Sequence, residues 1–127
     1  MENQYSAQNV AAYIIYELQE KSYYMNPIQL QQVLRQVDLA WKKVFGHCAF
    51  RESTHTHKNY YVKEVFEAYE ENDLRLIEEP AREWYLPYGQ FQLYYRPYGI
   101  PAYTPLEDKV MKKILNEFMT KYSLIAS

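Results

Sequence analysis

Hydrophobic residues recur at helical spacing in four separate stretches of the chain, which predicts a mostly helical protein. The first stretch follows Ser6, a residue type that favours the N-cap position of a helix. Val10, Ile14 and Leu18 then fall on one face of this helix, which we expect to end near Lys21.

The second stretch carries the clearest helix signals. Asn26-Pro-Ile-Gln29 combines a capping residue, a proline at the first helical position and a glutamine three residues after the cap. Gly46 is a natural C-terminal stop. The apolar stripe between them consists of Leu30, Val33, Leu34, Val37, Trp41, Val44 and Phe45. Because this stripe is long and Trp41 is large enough to touch several other elements, we expect the helix Asn26–Phe45 to be the central one.

Helical spacing returns in two further places. A third helix is predicted at about residues 60–72 from the spacing of Val62, Val65 and Tyr69. The last helix begins at Thr104–Glu107, where threonine and glutamate form a capping box around a proline. Its apolar stripe consists of Leu106, Val110, Met111, Ile114, Leu115, Phe118 and Tyr122.

The segment before the last helix departs from the helical period. Leu86-Pro-Tyr-Gly89 has proline and glycine where a tight turn needs them. Gln90–Tyr95 then alternates polar and apolar residues, as a half-buried strand does. With Trp84–Leu86 as the other strand, these signals predict a small β-hairpin. One of its two faces should pack on the helices. The alternation places one set of side chains on one face, Phe91, Leu93 and Tyr95, and the other set on the opposite face, Gln90, Gln92 and Tyr94.

The chain has 127 residues, 48% of them hydrophobic, which is enough for one domain with its own core. We therefore expect an α+β, mostly α-helical fold, a single compact domain over residues 1–127 with four to five helices and a small β-hairpin.

No apolar run approaches the roughly 18 residues of a membrane span, and Met1–Tyr5 lacks the basic and apolar blocks of a signal peptide. Cys48 is the single cysteine and cannot form an internal disulfide, so we expect a cytoplasmic protein. A net charge of -2 offers no basic excess for direct nucleic-acid binding.

Tyrosine is the unusual feature of the composition, with 15 residues against only 3 glycines. Eight aromatic residues lie between Trp84 and Tyr103, and a hairpin of this size cannot bury them all. Exposed aromatic clusters mark interaction surfaces more often than scattered single ones do. We therefore expect a partner protein to bind at Tyr88, Tyr94, Arg96 and Tyr98. The alternative interpretation is that these rings stack on one another to order the loop.

The candidates for chemistry are His47, Cys48, His55 and His57. Imidazole and thiolate are zinc ligands, but this spacing matches no common structural zinc pattern and offers no second cysteine. Cys48 could also pair with a histidine as a nucleophile, although a free cysteine in this context is expected to pack as a small hydrophobe. We expect no catalytic residue, metal or cofactor. A metal-dependent hydrolase using these four residues is the alternative from the enzyme class.

The order of these motifs resembles the Panacea antitoxin domain, the phage-associated, SocA-like family. The resemblance covers most of the chain and is carried by Tyr5–Ile15, Asn26–Leu34, Ala40-Trp41, Phe45-Gly46, Phe50, Val62–Tyr69 and the closing helix Thr104–Tyr122. It implies a non-catalytic protein that neutralises a toxin, either by direct binding or by delivery to a protease. A related alternative is a phage-encoded anti-defence inhibitor, such as an anti-CRISPR protein that blocks a nuclease.

The sequence departs from the family pattern at the junction Thr54–Tyr61. Where the family has a Trp-x-Tyr-Gly-Pro stretch, this chain has Thr56-His-Lys-Asn-Tyr60. The junction must therefore be built differently, and it supplies Tyr60 and Tyr61 as further candidates for binding a partner.

Overall fold

The computed structural model describes residues 5–51, 62–70, 75–89 and 91–126, and their side chains as far as residue 121. These residues form four α-helices and one two-stranded antiparallel sheet. In chain order the elements are α1 (Ala7–Glu20), α2 (Pro27–Phe45), α3 (Lys63–Tyr69), β1 (Arg82–Tyr85), β2 (Tyr94–Pro97) and α4 (Pro105–Ala126). The predicted compact α+β fold, mostly helical with a small hairpin, is confirmed.

The predicted capping residues set the helix boundaries. The Ser6 hydroxyl accepts a hydrogen bond from the Gln8 N–H at 3.2 Å and begins α1. At the start of α2, the Asn26 side chain accepts from the Gln29 N–H at 2.8 Å, and the Gln29 side chain accepts from the Asn26 N–H at 3.0 Å. Gly46 ends α2 with a φ of 78°, a left-handed conformation that costs glycine little.

The core lies where α1 and α2 meet α3 and α4, because each of the first two helices contacts all the others. The stripes predicted from helical spacing supply most of its side chains. The largest fully buried residues are Trp41, Phe50, Ile14, Ile15, Leu18, Leu30, Leu34, Ile77, Met111, Leu115, Val10 and Val33. Within the described ranges, no helix has both the length and the apolar character needed to cross a membrane.

Two buried polar side chains of α2 hold the chain segments that pack against this helix. The amide of Gln31 clamps the backbone of Val62, accepting its N–H at 2.8 Å and donating to its carbonyl at 3.3 Å. The carboxylate of Asp38 accepts from the Ala49 N–H at 3.2 Å and lies 3.3 Å from the Lys42 ammonium. Burying a polar group costs free energy unless it is hydrogen-bonded, so these contacts favour this placement of each segment.

Three helix predictions need adjustment. Val44 and Leu106 belong to the predicted apolar stripes but are exposed; Val44 is the penultimate residue of α2 and Leu106 is the second residue of α4. The third helix is confirmed over Lys63–Tyr69, shorter than the predicted 60–72, whose outer residues lie partly outside the described ranges.

The predicted hairpin exists, but its strands lie elsewhere. β1 and β2 pair with Tyr85 opposite Tyr94, and the described residues between them, 86–89 and 91–93, are unpaired; we call them the hairpin loop. The prediction of a strand at Gln90–Tyr95 is therefore wrong for residues 91–93, and Gln90 lies outside the described residues. A turn does occur at Gly89, where φ is 78°, but paired strands do not flank it directly.

The expectation that one hairpin face packs on the helices is also wrong. The strands contact each other, and the side chains of both are exposed or only half-buried. Alternation of polar and apolar residues predicts a strand when one face is buried. Here no described helix covers either face, and this stabilising burial is missing.

The two leucines of α2 provide a direct test of which side of this helix faces the core. Leu34 is fully buried, whereas Leu39 is 47% exposed. Leu34→Ala should lower the free energy of unfolding by about 2–5 kcal/mol, because it leaves a cavity. The same change at Leu39 should cost about 0.5 kcal/mol or less. Urea denaturation measures both values, and equal losses would contradict the assigned core.

Candidate protein-binding surface

The hairpin loop and the strand ends beside it form an uncharged surface that projects into solvent. Trp84–Tyr95 spans twelve residues, six of them aromatic, without any Asp, Glu, Lys or Arg. All six aromatic side chains are exposed, and those of Tyr88 and Phe91 are fully exposed. Exposed contiguous apolar surface is typical of interaction sites, so this segment is the candidate binding surface.

One face of the hairpin is ordered by a stack of three side chains. The rings of Trp84 and Tyr95, which lie opposite each other in the register, have centroids 4.9 Å apart. The Arg82 guanidinium lies 5.8 Å from the Tyr95 ring centroid and donates a hydrogen bond to the Tyr95 carbonyl at 3.3 Å. Cross-strand aromatic and cation–π contacts of this kind stabilise a hairpin that no helix covers.

The opposite face is ordered around Arg96. Its guanidinium lies 3.5 Å from the ring centroid of Tyr85 and 3.6 Å from a carboxylate oxygen of Glu83. Tyr94 is two residues from Arg96 on the same strand, so both side chains project from this face. Arg96 is thereby held against the aromatic surface instead of extending freely into water.

Most of the predicted binding residues lie on this hairpin. Tyr88 and Tyr94 are exposed, the first in the hairpin loop and the second in β2 beside Arg96. Tyr98 is half-buried at the base of the hairpin, where the chain returns to the helices. Tyr60 and Tyr61 lie outside the described residues, so their part in binding stays a prediction.

Sequence reasoning missed four side chains of the same surface: Trp84, Tyr85, Phe91 and Leu93, all exposed. The alternating pattern suggested that some of them face the core. The run of twelve residues without a charge is the signal that could have identified them, because it extends beyond the length of either strand.

Hydrogen bonds hold the base of the hairpin to the helical body. The Tyr69 hydroxyl of α3 accepts from the Ala81 N–H at 2.9 Å, and the Tyr98 N–H donates to the Ala81 carbonyl at 2.9 Å. On the other side, the Asn9 side chain of α1 donates to the Gly99 carbonyl at 2.7 Å. Burial raises the pKa of Tyr69 to about 12. The loop can project because these contacts fix the two ends of the hairpin.

A cleft of about 810 Å³ separates α1 from the chain at residues 96–100, and we call it the α1 cleft. The rings of Tyr16 and Tyr98 line it together with the carboxylates of Glu17 and Glu20. Since Arg96 also lines this cleft, the candidate binding surface continues from the hairpin onto α1.

Tyr103, between the hairpin and α4, contacts α1, α2 and the segment before α1. Its ring makes edge contacts with Tyr5 at 4.9 Å and with Tyr13 of α1 at 5.2 Å between centroids. It also lies 5.5 Å from the ring of Trp41 in α2. These four side chains, the tyrosine cluster, fix the point at which the chain leaves the hairpin and enters α4.

Two carboxylates of α4 accept hydrogen bonds from this cluster. Glu107 accepts from the Tyr5 hydroxyl at 2.8 Å and from the Thr104 N–H at 2.9 Å, completing the predicted capping box. Asp108 accepts from the Tyr13 hydroxyl at 2.5 Å. The first turn of α4 is thereby joined to α1 and to the chain before it.

The same contacts shift the ionisation of the tyrosines. Burial, together with the hydrogen bond to Glu107, raises the pKa of Tyr5 to about 12. Burial and then the hydrogen bond to Asp108 raise the pKa of Tyr13, and burial raises the pKa of Tyr103. Hydrogen bonds from Lys112 and Tyr13 lower the pKa of Asp108.

The cysteine and histidine candidates are only partly within the described residues. His47 Nδ1 donates to the Cys48 carbonyl at 2.9 Å, in the tautomer that protonates this nitrogen, and its ring lies 6.2 Å from Phe45. Cys48 is half-buried rather than fully buried. His55 and His57 lie outside the described ranges. Within those ranges, no three His, Cys, Asp or Glu residues come together as possible metal ligands.

Comparison of the chain with protein-family models, with curated proteins and with solved structures found no match.

The tyrosine cluster contains a matched pair of hydroxyls. The Tyr103 hydroxyl is buried without a hydrogen-bond partner among the described residues, whereas the Tyr5 hydroxyl donates to Glu107. Tyr103→Phe should leave the free energy of unfolding unchanged or raise it by up to about 1 kcal/mol, because an unsatisfied polar group is removed. Tyr5→Phe should lower it by about 1.5–3 kcal/mol, the range for hydrogen bonds to charged groups. Chemical denaturation distinguishes the two, and a larger loss for Tyr103→Phe would contradict this account.

Alkaline pH should destabilise the fold through these tyrosines. Their pKa values rise from 10.0 in the unfolded chain to about 12 for Tyr5 and Tyr69 in the folded one. The unfolded state therefore loses these protons first, so stability is complete below about pH 10 and falls as the pH rises toward 12. Urea denaturation across this range measures the effect. Tyr5→Phe should make the fall shallower, and a stability that does not change over this range would refute the prediction.

Proposed function

We propose that this protein is a non-catalytic protein-binding domain that contacts its partner through the hairpin loop and the strand ends beside it. The observation that carries the proposal is the uncharged, exposed aromatic segment Trp84–Tyr95. Binding energy at protein interfaces concentrates in a few aromatic and arginine side chains. This segment and the adjoining Arg96 present that combination on a projecting hairpin.

The shape of the surface suggests how it would be used. Tyr88 and Phe91 extend from the loop with their whole side chains exposed, so a concave apolar pocket on the partner could enclose both. The stem below is ordered by the Trp84–Tyr95 and Arg96–Tyr85 contacts. A preordered stem reduces the conformational entropy that binding would otherwise cost.

Within this class, we propose a toxin as the partner and the cytoplasm as the site of action. The support is the resemblance to the Panacea antitoxin family, and neutralisation would follow from direct binding or from delivery of the toxin to a protease. The anti-defence alternative uses the same surface against a different partner protein. No observation on the described residues favours the metal-dependent hydrolase over binding.

Co-expression tests the partner directly. The reading frames that neighbour this gene are expressed one at a time in a host cell, with and without this protein. For an antitoxin, one of them should arrest growth, and the arrest should be relieved when this protein is present and copurifies with the product. Copurification with a component of a defence system and relief of its activity would instead support the anti-defence alternative.

Two ring truncations test the surface. Tyr88→Ala combined with Phe91→Ala should weaken binding of the copurified partner at least tenfold, about 1.4 kcal/mol. The melting temperature should stay unchanged, because both side chains are fully exposed. Tyr24→Ala is the matched control, since Tyr24 is 46% exposed and lies outside the hairpin. Unchanged affinity of the double variant in calorimetry would exclude the hairpin loop as the binding site.

A further inference from the structure

The two edges of the hairpin differ in their free hydrogen-bonding groups. The Tyr98 N–H donates to the Ala81 carbonyl, and these residues lie opposite each other when the strand register is extended by one pair. Hydrogen-bonded and non-hydrogen-bonded pairs alternate along an antiparallel ladder. The pairs Arg82–Pro97 and Trp84–Tyr95 are therefore the non-bonded ones, and their main-chain groups point away from the sheet.

The outer edge of β2 is closed to another strand. Pro97 has no N–H to donate, and proline is tolerated at this position because its nitrogen points outward. The Tyr95 carbonyl, the next acceptor along this edge, already accepts a hydrogen bond from Arg82. Proline on an edge strand is among the features that prevent unwanted strand pairing.

The outer edge of β1 has no proline, and none of its outward carbonyls accepts a hydrogen bond from a described residue. The N–H and C=O groups of Arg82 and Trp84 point outward, and no described residue bonds to them. An isolated two-stranded hairpin is only marginally stable in water, and a third strand would supply the missing hydrogen bonds. The main chain of an extended peptide presents the complementary groups at the same spacing.

The charged residues near this edge indicate which charge the added segment should carry. A cleft of about 420 Å³, the α3 cleft, lies at the base of the hairpin and is lined by Arg82 and Tyr95 together with residues of α3. Three glutamates line it as well, Glu67, Glu70 and Glu79. A lysine or arginine on the incoming segment could reach these carboxylates, which outnumber the one arginine in the cleft.

We infer that the outer edge of β1 binds an extended segment of a partner protein as a third strand, with a basic side chain of that segment in the α3 cleft. The inference rests on the proposed function and specifies its mode of recognition. A second copy of this chain fits the edge poorly. Antiparallel pairing of two β1 strands through Arg82 and Trp84 would place Glu83 opposite Glu83 of the second copy, and like charges in that position are destabilising.

A matched pair of backbone changes tests the inference. Replacing Trp84 by its α-hydroxy acid removes the outward N–H of β1 and keeps the indole, and the same replacement at Tyr95 removes the outward N–H of β2. Each replacement turns the preceding amide into an ester, whose carbonyl is a weaker hydrogen-bond acceptor. In both variants this carbonyl lies within the ladder, so the two esters should affect the hairpin equally. Circular dichroism and thermal unfolding confirm that the two variants fold alike.

The probe is a phage-displayed library of random twelve-residue peptides, selected on the immobilised full chain. We expect the selected peptides to be rich in Lys and Arg and to bind at least tenfold more weakly to the Trp84 ester, with no change for the Tyr95 ester. Glu79→Gln should weaken binding severalfold, whereas Glu17→Gln, in the α1 cleft, should not.

Three results would overturn strand addition: no peptide is selected, the Trp84 ester binds normally, or both esters lose affinity equally. The variant Tyr88→Ala with Phe91→Ala distinguishes this failure from failure of the proposed function. If it abolishes binding of the copurified partner while the Trp84 ester leaves that binding unchanged, the hairpin binds through its side chains alone and the proposed function stands.

Discussion

The arrangement of this protein depends on the packing of Tyr103 against Tyr5, Tyr13 and Trp41. These rings bring together the segment before α1, the helices α1 and α2, and the chain that leads into α4. Glu107 adds a polar contact at the same place, since its carboxylate caps its own helix and accepts from the Tyr5 hydroxyl. The cluster thus closes one side of the helical core at the point where the hairpin returns to it.

Because the core is closed without the hairpin, the hairpin need not bury its apolar side chains to stabilise the fold. Its base is held at Ala81 by the Tyr69 hydroxyl and at Gly99 by the Asn9 side chain. Between these points the chain carries exposed aromatic rings that the helices do not cover. The helical core and the candidate binding surface therefore lie in different parts of the molecule.

The candidate surface could be predicted from the sequence only in part. The density of aromatic residues identified Tyr88, Tyr94 and Arg96 correctly as part of the exposed hairpin. The position of Phe91 was beyond prediction, because alternation defines two faces without defining which of them meets another element. The open edge of β1 depends on the strand register, which places Pro97 with its nitrogen outward, and register follows from the observed pairing alone.

The helices could be predicted from local sequence signals, because capping and periodicity are local properties. Asn26 with Gln29 and Thr104 with Glu107 mark helix starts through contacts that span only three residues. Tertiary structure decided which apolar side chains are covered and which buried polar groups are satisfied. Gln31 finds its partner at Val62, 31 residues away, and no local pattern encodes such a distance. The exposure of the hairpin has the same origin, since it depends on where the helices pack and not on the hairpin's own residues.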